Sequence, residues 1–218
     1  MNPTKITPAG GAFAIWVIIY SIEAFFVVYG FLGGLDGVLL HGVGFWFLLV
    51  CLFNSLWIVT FVQGNTASLW CSPLLIATLL VCLCKMYLGT ECWQARRGGT
   101  FGQRCLQTLA LDAHFSMYAG WVTVATIVNT SATLGSTGWD GAPLSDSAWT
   151  VILLVVALAI NSYIVVTRQD CVWGWVLAWA SFFIYVANKG DTAIVVGSLL
   201  VSGCSAAVSA VITARVVA

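Results

Sequence analysis

Charge is what this chain has least of. Asp, Glu, Lys and Arg make up only 7% of its residues, where soluble domains carry roughly 25%. That scarcity excludes a water-soluble globular fold. The eight basic and eight acidic side chains cancel to a formal net charge of zero, so the basic footprint of a nucleic-acid binder is absent and no nucleic-acid partner is expected. There are only two histidines and four prolines. No P-loop, dinucleotide fingerprint, Ser/His/Asp triad or Cys/His pair is present, so no enzymatic role is expected.

What the chain has instead is hydrocarbon. Hydrophobic residues reach 61%, and the mean hydropathy is +0.99. Apolar runs long enough to cross a bilayer, about 20 residues each, follow one another with short turns between. Span one covers about Ala12–Phe31, span two about Gly42–Val62 and span three about Trp70–Leu88. Span four covers about Ala113–Leu134, with Asp112 as its expected N-cap. Span five is about Trp149–Val166, span six about Cys171–Ala187 and span seven about Thr192–Ala214. The longest loop is expected at residues 89–111. Pro8 stands where a first helical turn could start. The first apolar run is itself long enough to span, so no cleaved signal peptide is expected. The fold class is therefore all-α, a polytopic membrane bundle of seven helices.

Seven spans put the termini on opposite faces. One face receives Lys5, Lys189, Asp140, Asp146 and Asp191; the other receives Arg96, Arg97, Arg104, Arg168 and Arg215, with Lys85 near a helix end. The positive-inside rule then predicts a non-cytosolic N-terminus and a cytosolic C-terminus. Lys189 lies in the turn KGDT at the membrane edge, which argues against retinal Schiff-base chemistry at mid-span. Of the eight cysteines, Cys51, Cys82, Cys84 and Cys204 fall inside spans as small hydrophobes, and no disulfide framework is expected. His41, Asp112, His114, Cys92 and Cys105 gather on the cytosolic side, but no pair has metal-ligand spacing. They read as loop and cap residues, and no metal is expected.

Three spans carry aromatic and polar residues along one helical face. In span one, Phe13, Trp16, Tyr20 and Glu23 share a stripe. In span two, Asn54, Trp57 and Phe61 do. In span four, Tyr118, Trp121, Ala125 and Asn129 line up. An unpaired amide in hydrocarbon costs several kcal/mol, so these faces should look into protein or a cavity. Facing one another, they would line an aromatic pocket for a flat apolar ligand, with Tyr and Asn orienting its polar atoms. The alternative is plain helix–helix contact, with Asn and Tyr as interhelical hydrogen-bond glue.

The pattern Pro8…Phe13-x-x-Trp16-x-x-x-Tyr20, Asn54-x-x-Trp57-x-x-x-Phe61 and Tyr118-x-x-Trp121-x-x-x-Ala125-x-x-x-Asn129 resembles the tryptophan-rich sensory protein/translocator protein (TspO/MBR) family. The motifs occur in that family's order, and the resemblance covers residues 8 to 168. It implies a five-helix membrane domain over residues 1–168 whose aromatic cavity takes porphyrins or sterols. Residues 169–218 would add two further transmembrane helices packed on the same bundle. Some family members are credited with porphyrin breakdown. Three departures stand out: Met117 replaces the family's usual Pro, the chain has two extra spans, and Glu23 places an acid midway along span one.

A carboxylate at mid-membrane costs about 2.5–3.5 kcal/mol on insertion scales. Glu23 is read either as a proton site or ligand anchor, or as a neutral acid bonded to Tyr20 or to an Asn on the next helix. Leu158, Tyr163 and Arg168 fit the loose cholesterol pattern at the end of span five, or else Tyr163 and Arg168 are interfacial anchors.

The leading functional expectation is a translocator-type protein holding a porphyrin, haem-type or sterol-like ligand among the stripes. A second reading is a structural subunit or assembly factor of a larger membrane complex, for which the small-residue run GSLLVSGCSAA in span seven permits close helix approach. A third is a proton-coupled small-solute transporter using Glu23, although no inverted repeat is visible. Lipid, a hydrophobic small molecule, and a second copy or complex partner are the expected contacts. A cavity open between spans one, two and four favours the first reading; stripes packed shut favour the second.

Overall fold

A computed structural model describes residues 4–35, 42–63, 65–94, 100–139 and 141–217, without the side chains of residues 66, 91–94, 216 and 217. A 3-10 turn over Gly10–Ala14 leads into α1 (Ile15–Phe31), followed by α2 (Trp46–Gln63), α3 (Thr66–Gln94) and α4 (Phe101–Gln107). A π-helical segment, Thr108–Ala113, feeds α5 (His114–Ser136); α6 (Asp146–Arg168), α7 (Cys171–Ala187) and α8 (Thr192–Val217) complete the chain. No strand occurs among the described residues. In hydrocarbon every backbone polar group must be satisfied internally, and helices do this within one segment.

All seven expected spans are helices. Five are long and apolar enough to cross a membrane unaided: Gly10–Phe31, Trp46–Gln63, Ala67–Thr90, Asp146–Arg168 and Thr192–Arg215. The apolar α7 is shorter, at 17 residues, near the lower limit for a span. The helix α5 falls short on composition rather than length, and its position explains why. It packs against α1, α3, α6 and α7, and it buries His114, Ser116, Asn129 and Thr133 among its apolar residues. A central helix is wrapped by protein, so it can carry polar groups that lipid-facing helices cannot.

The stretch expected as the longest loop is largely helical. The helix α3 runs on to Gln94, and α4 starts at a capping box in which Thr100 accepts from the Gln103 N–H and Gln103 accepts from the Thr100 N–H. The Thr-x-x-Gln spacing is a readable helix-start signal. Asp112 is not the N-cap of the fourth span: the backbone is helical through Ala113, and the π-helical turn continues into α5.

Polar ties fix the bundle. Asp170 precedes α7, and its Oδ1 accepts from the N–H groups of Val172 and Trp173. It also accepts hydrogen bonds from Tyr87 of α3 at 2.7 Å and from Ser116 of α5 at 2.6 Å. One carboxylate thus joins α3 and α5 to the start of α7 that it caps, where negative charge suits the dipole. The serines of α8 pack inside the chain, whereas Gly203, Cys204, Ala207 and Ala210 are exposed. Ser198, Ser205 and Ser209 are buried, Asn161 of α6 reaches Ser205, and Ser202 donates to the Ala178 carbonyl of α7.

The N-terminal lead is strapped across the end of α7 and the start of α8. The Ala9 N–H donates to the Phe183 carbonyl at 3.0 Å, Asn188 donates to the Lys5 carbonyl at 2.8 Å, and Trp179 Nε1 donates to the Ala12 carbonyl at 3.0 Å. Lys5 Nζ lies 2.8 Å from Asp191 Oδ2. Residues 5–12 are therefore held against the bundle.

Candidate functional site

The three aromatic stripes meet. Trp16 of α1 is their hub, with ring centroids 5.2 Å from Tyr20, 5.8 Å from Tyr118, 6.1 Å from Trp57 and 6.3 Å from Trp121. Phe13 meets Trp121 edge-on at 5.9 Å, and Trp57 pairs with Phe61 at 5.5 Å. Edge-to-face and offset geometry are the arrangements that aromatic quadrupoles favour.

Beside this hub lies a chamber of about 300 Å³. Phe13, Trp16, Trp57, Phe61, Trp121, Ala125 and Asn129 line it, and so do Val124, Val128 and Ala132 of α5. Thr7 and Pro8 of the lead form part of the wall, so the lead serves as a wall and Pro8 does not begin a helix. Nothing in the local sequence announces that role, which arises from the strap to α7 and α8.

Buried polar atoms without partners cluster at this wall. Trp57 Nε1, Trp121 Nε1 and Asn129 Oδ1 have no hydrogen-bond partner among the described residues, and neither does the neighbouring Tyr118 Oη. Buried indole N–H and phenol O–H groups normally find partners, so each such atom calls for an explanation. The other end of the Asn129 amide is spent: Nδ2 donates to Ser72 Oγ of α3 at 2.8 Å. That leaves its carbonyl oxygen as the free acceptor.

The remaining stripe residues lie elsewhere. Tyr118 is fully buried behind Trp16 and does not line the chamber. Tyr20, Glu23 and Asn54 line a separate open notch between α1 and α2, and Asn54 Nδ2 donates to Tyr20 Oη at 3.1 Å. The Asn54–Tyr20 bond is the interhelical glue; Glu23 takes no part in it. Leu158, Tyr163 and Arg168 sit on α6, outside both spaces. Steps of five residues turn a helix by about 140° beyond a full turn, so these three point in different directions. Tyr163 is 66% exposed.

His114 is not a loop residue. It is buried at the start of α5 among Phe26, Phe115 and Tyr118, and neither ring nitrogen has a partner among the described residues. His41 and the side chain of Cys92, grouped with it above, lie outside the described residues, as do Asp140, Arg96 and Arg97. No group of three or more metal-ligating side chains occurs among the described residues.

No curated protein and no solved structure matches the chain. A family model does. The model described as TSPO-like protein matches residues 1–215 and so takes in α7 and α8 together with the aromatic helices, and this multi-pass membrane chain belongs to the TSPO-like family.

Proposed function

We propose that the chain binds a flat hydrophobic molecule, a tetrapyrrole or a sterol-like ring system, in the chamber between α1, α2 and α5. One observation carries the reading. An apolar aromatic chamber persists where the three stripes meet, and its wall residues hold indole N–H groups and an amide carbonyl with nothing to bond. Ring faces of Trp16, Trp57 and Trp121 supply stacking surface, while Trp57 Nε1, Trp121 Nε1 and Asn129 Oδ1 lie buried within the wall residues, two donors and one acceptor that a side-chain rotation would have to bring to a ligand's polar rim. At about 300 Å³ the chamber lies at the small end of ligand sites.

The described wall residues include no His, Cys, Met or Tyr, the side chains that serve as axial ligands to haem iron. A macrocycle would therefore be held through its ring faces and the polar substituents on its rim, not through a metal. Among the described residues the wall also includes no Asp, Glu or His for acid–base work, so the reading is binding and not catalysis. We read residues 1–168 as the translocator-like core, with α7 and α8 holding the lead that forms part of the chamber wall.

Titration of metal-free protoporphyrin IX into the detergent-purified protein tests this, followed by tryptophan quenching and the Soret band. The expected result is saturable micromolar binding, weakened at least about tenfold, or 1.4 kcal/mol, by Trp121→Ala/Asn129→Ala. Non-saturable partitioning that is the same in both proteins would sink the tetrapyrrole reading. Repeating the titration with a sterol separates the two ligand classes.

A further inference from the structure

The notch between α1 and α2 has a chemistry of its own. Glu23 lies midway along α1 and is half-buried. Around it stand Tyr20, Cys51, Asn54 and Ser55, with Phe47 and Val27 as apolar walls, in a shallow open depression of about 560 Å³. The notch shares no lining residue with the aromatic chamber. Trp16 of the chamber and Tyr20 of the notch stack back to back at 5.2 Å and form the partition. Ala24 and Val28, which also line it, are exposed, so the notch faces where lipid would lie.

A count of donors and acceptors specifies what would fit. Asn54 Nδ2 is spent on Tyr20 Oη, and Ser55 Oγ is spent on the Cys51 carbonyl. Asn54 Oδ1 is buried and has no partner among the described residues. The Glu23 carboxyl has no hydrogen bond or ion pair among them, and no Lys, Arg or His is among the described residues that line the notch. The unspent groups are still richer in acceptors: the two carboxyl oxygens and the amide oxygen offer about six lone pairs, against the Tyr20 hydroxyl hydrogen, the second Asn54 amide hydrogen and the weak Cys51 S–H. The complementary group carries several N–H donors on one atom and can take a positive charge. A hydroxyl brings only one donor and leaves acceptors unmet.

We propose that this notch is a second binding site, taking the amine of a membrane-soluble amphiphile, with Glu23 as its counter-ion and Asn54 Oδ1 as a further acceptor. A carboxylate or an ammonium alone at mid-membrane is costly, whereas a hydrogen-bonded pair offsets much of that cost. The opening lets the amphiphile keep its chain in the bilayer while only its head enters. The site does not depend on what the aromatic chamber holds.

Dicyclohexylcarbodiimide, which dissolves in lipid and adds to protonated carboxyls, reads the site in the full chain reconstituted in phosphatidylcholine vesicles. Mass analysis of the peptide containing Glu23 should show labelling that Glu23→Gln abolishes. Octadecylamine at about ten times its dissociation constant should slow labelling about tenfold, and octadecanol at the same mole fraction should not. Asn54→Leu should lose most of that protection in vesicles of identical surface charge, which separates binding from a change in interfacial pH. Trp121→Ala/Asn129→Ala should keep it, so failure of the chamber reading leaves this one standing. Equal slowing by the alcohol, or equal protection in Asn54→Leu, overturns the proposal. So does a Glu23 that never labels because a second copy or a partner helix covers it, which cross-linking would detect.

Discussion

Asp191 is the residue on which the N-terminal lead hangs. It stands just before α8, where the Ile194 N–H donates to its Oδ1, and its Oδ2 receives hydrogen bonds from Lys5 and Ser147. The Lys5 hydrogen bond, followed by that of Ser147, pulls its carboxyl from the ordinary 3.8 down to about 2. A depressed acid stabilises the folded arrangement while it is ionised. The contribution is therefore complete above the unfolded value of 3.8 and is lost as pH falls through about 2. Carboxyl carbon NMR of labelled Asp191 should show a midpoint near 2. Lys5→Met should move that midpoint up toward 3.8 and loosen the lead that carries Thr7 and Pro8. An unchanged midpoint in the variant would mean that Lys5 does not hold Asp191 in solution. Lys5 and Asp191 were readable only as same-face charges; that they pair depends on the strap.

Helix against helix, α7 and α8 pack close enough to exclude a side chain. A Cβ on Gly174 would lie 1.9 Å from Ser209 Oγ and 3.2 Å from Val165 Cγ2. Gly174→Ala should destabilise the bundle by roughly 1–3 kcal/mol, the usual range for overpacking. A second change, Ser209→Gly, should restore part of the loss. Gly203, on the same helix as Ser209, has no atom within 4 Å of its added Cβ, so Gly203→Ala should be neutral or slightly stabilising. Thermal unfolding in detergent, followed by circular dichroism, ranks the three variants; equal Tm values for Gly174→Ala and Gly203→Ala would refute the close contact. The small-residue pattern of span seven was legible in the sequence. Which of its residues face α6 and α7, and which face outward, was not, because small residues occur on both sides of α8.

For the whole molecule, the expected orientation puts Cys105, exposed on α4, on the cytosolic face with the C-terminus. Ser145, which caps α6, falls on the opposite face. A membrane-impermeant maleimide should label Cys105 only after permeabilisation, and should label a Ser145→Cys/Cys105→Ser variant in intact cells. Labelling of Cys105 in intact cells would reverse the topology. The other described cysteines give little interference, since most sit within helices that span hydrocarbon.

The sequence by itself determined where the helices run and which faces carry the aromatic residues. Hydrocarbon leaves the backbone few alternatives to helix, and a 3.6-residue period puts Trp121, Ala125 and Asn129 on one side whatever surrounds them. Tertiary structure decided the rest. It divided one expected pocket into a chamber and a notch, because Trp16 and Tyr20 stack and wall one off from the other. It made Thr7 and Pro8 part of the wall through bonds from the lead to Phe183 and Asn188, and it used Asp170 to join α3, α5 and α7. These contacts link segments far apart in the chain and depend on how each helix is rotated and crossed against its neighbours. Local periodicity states which residues share a face; only packing states what that face meets.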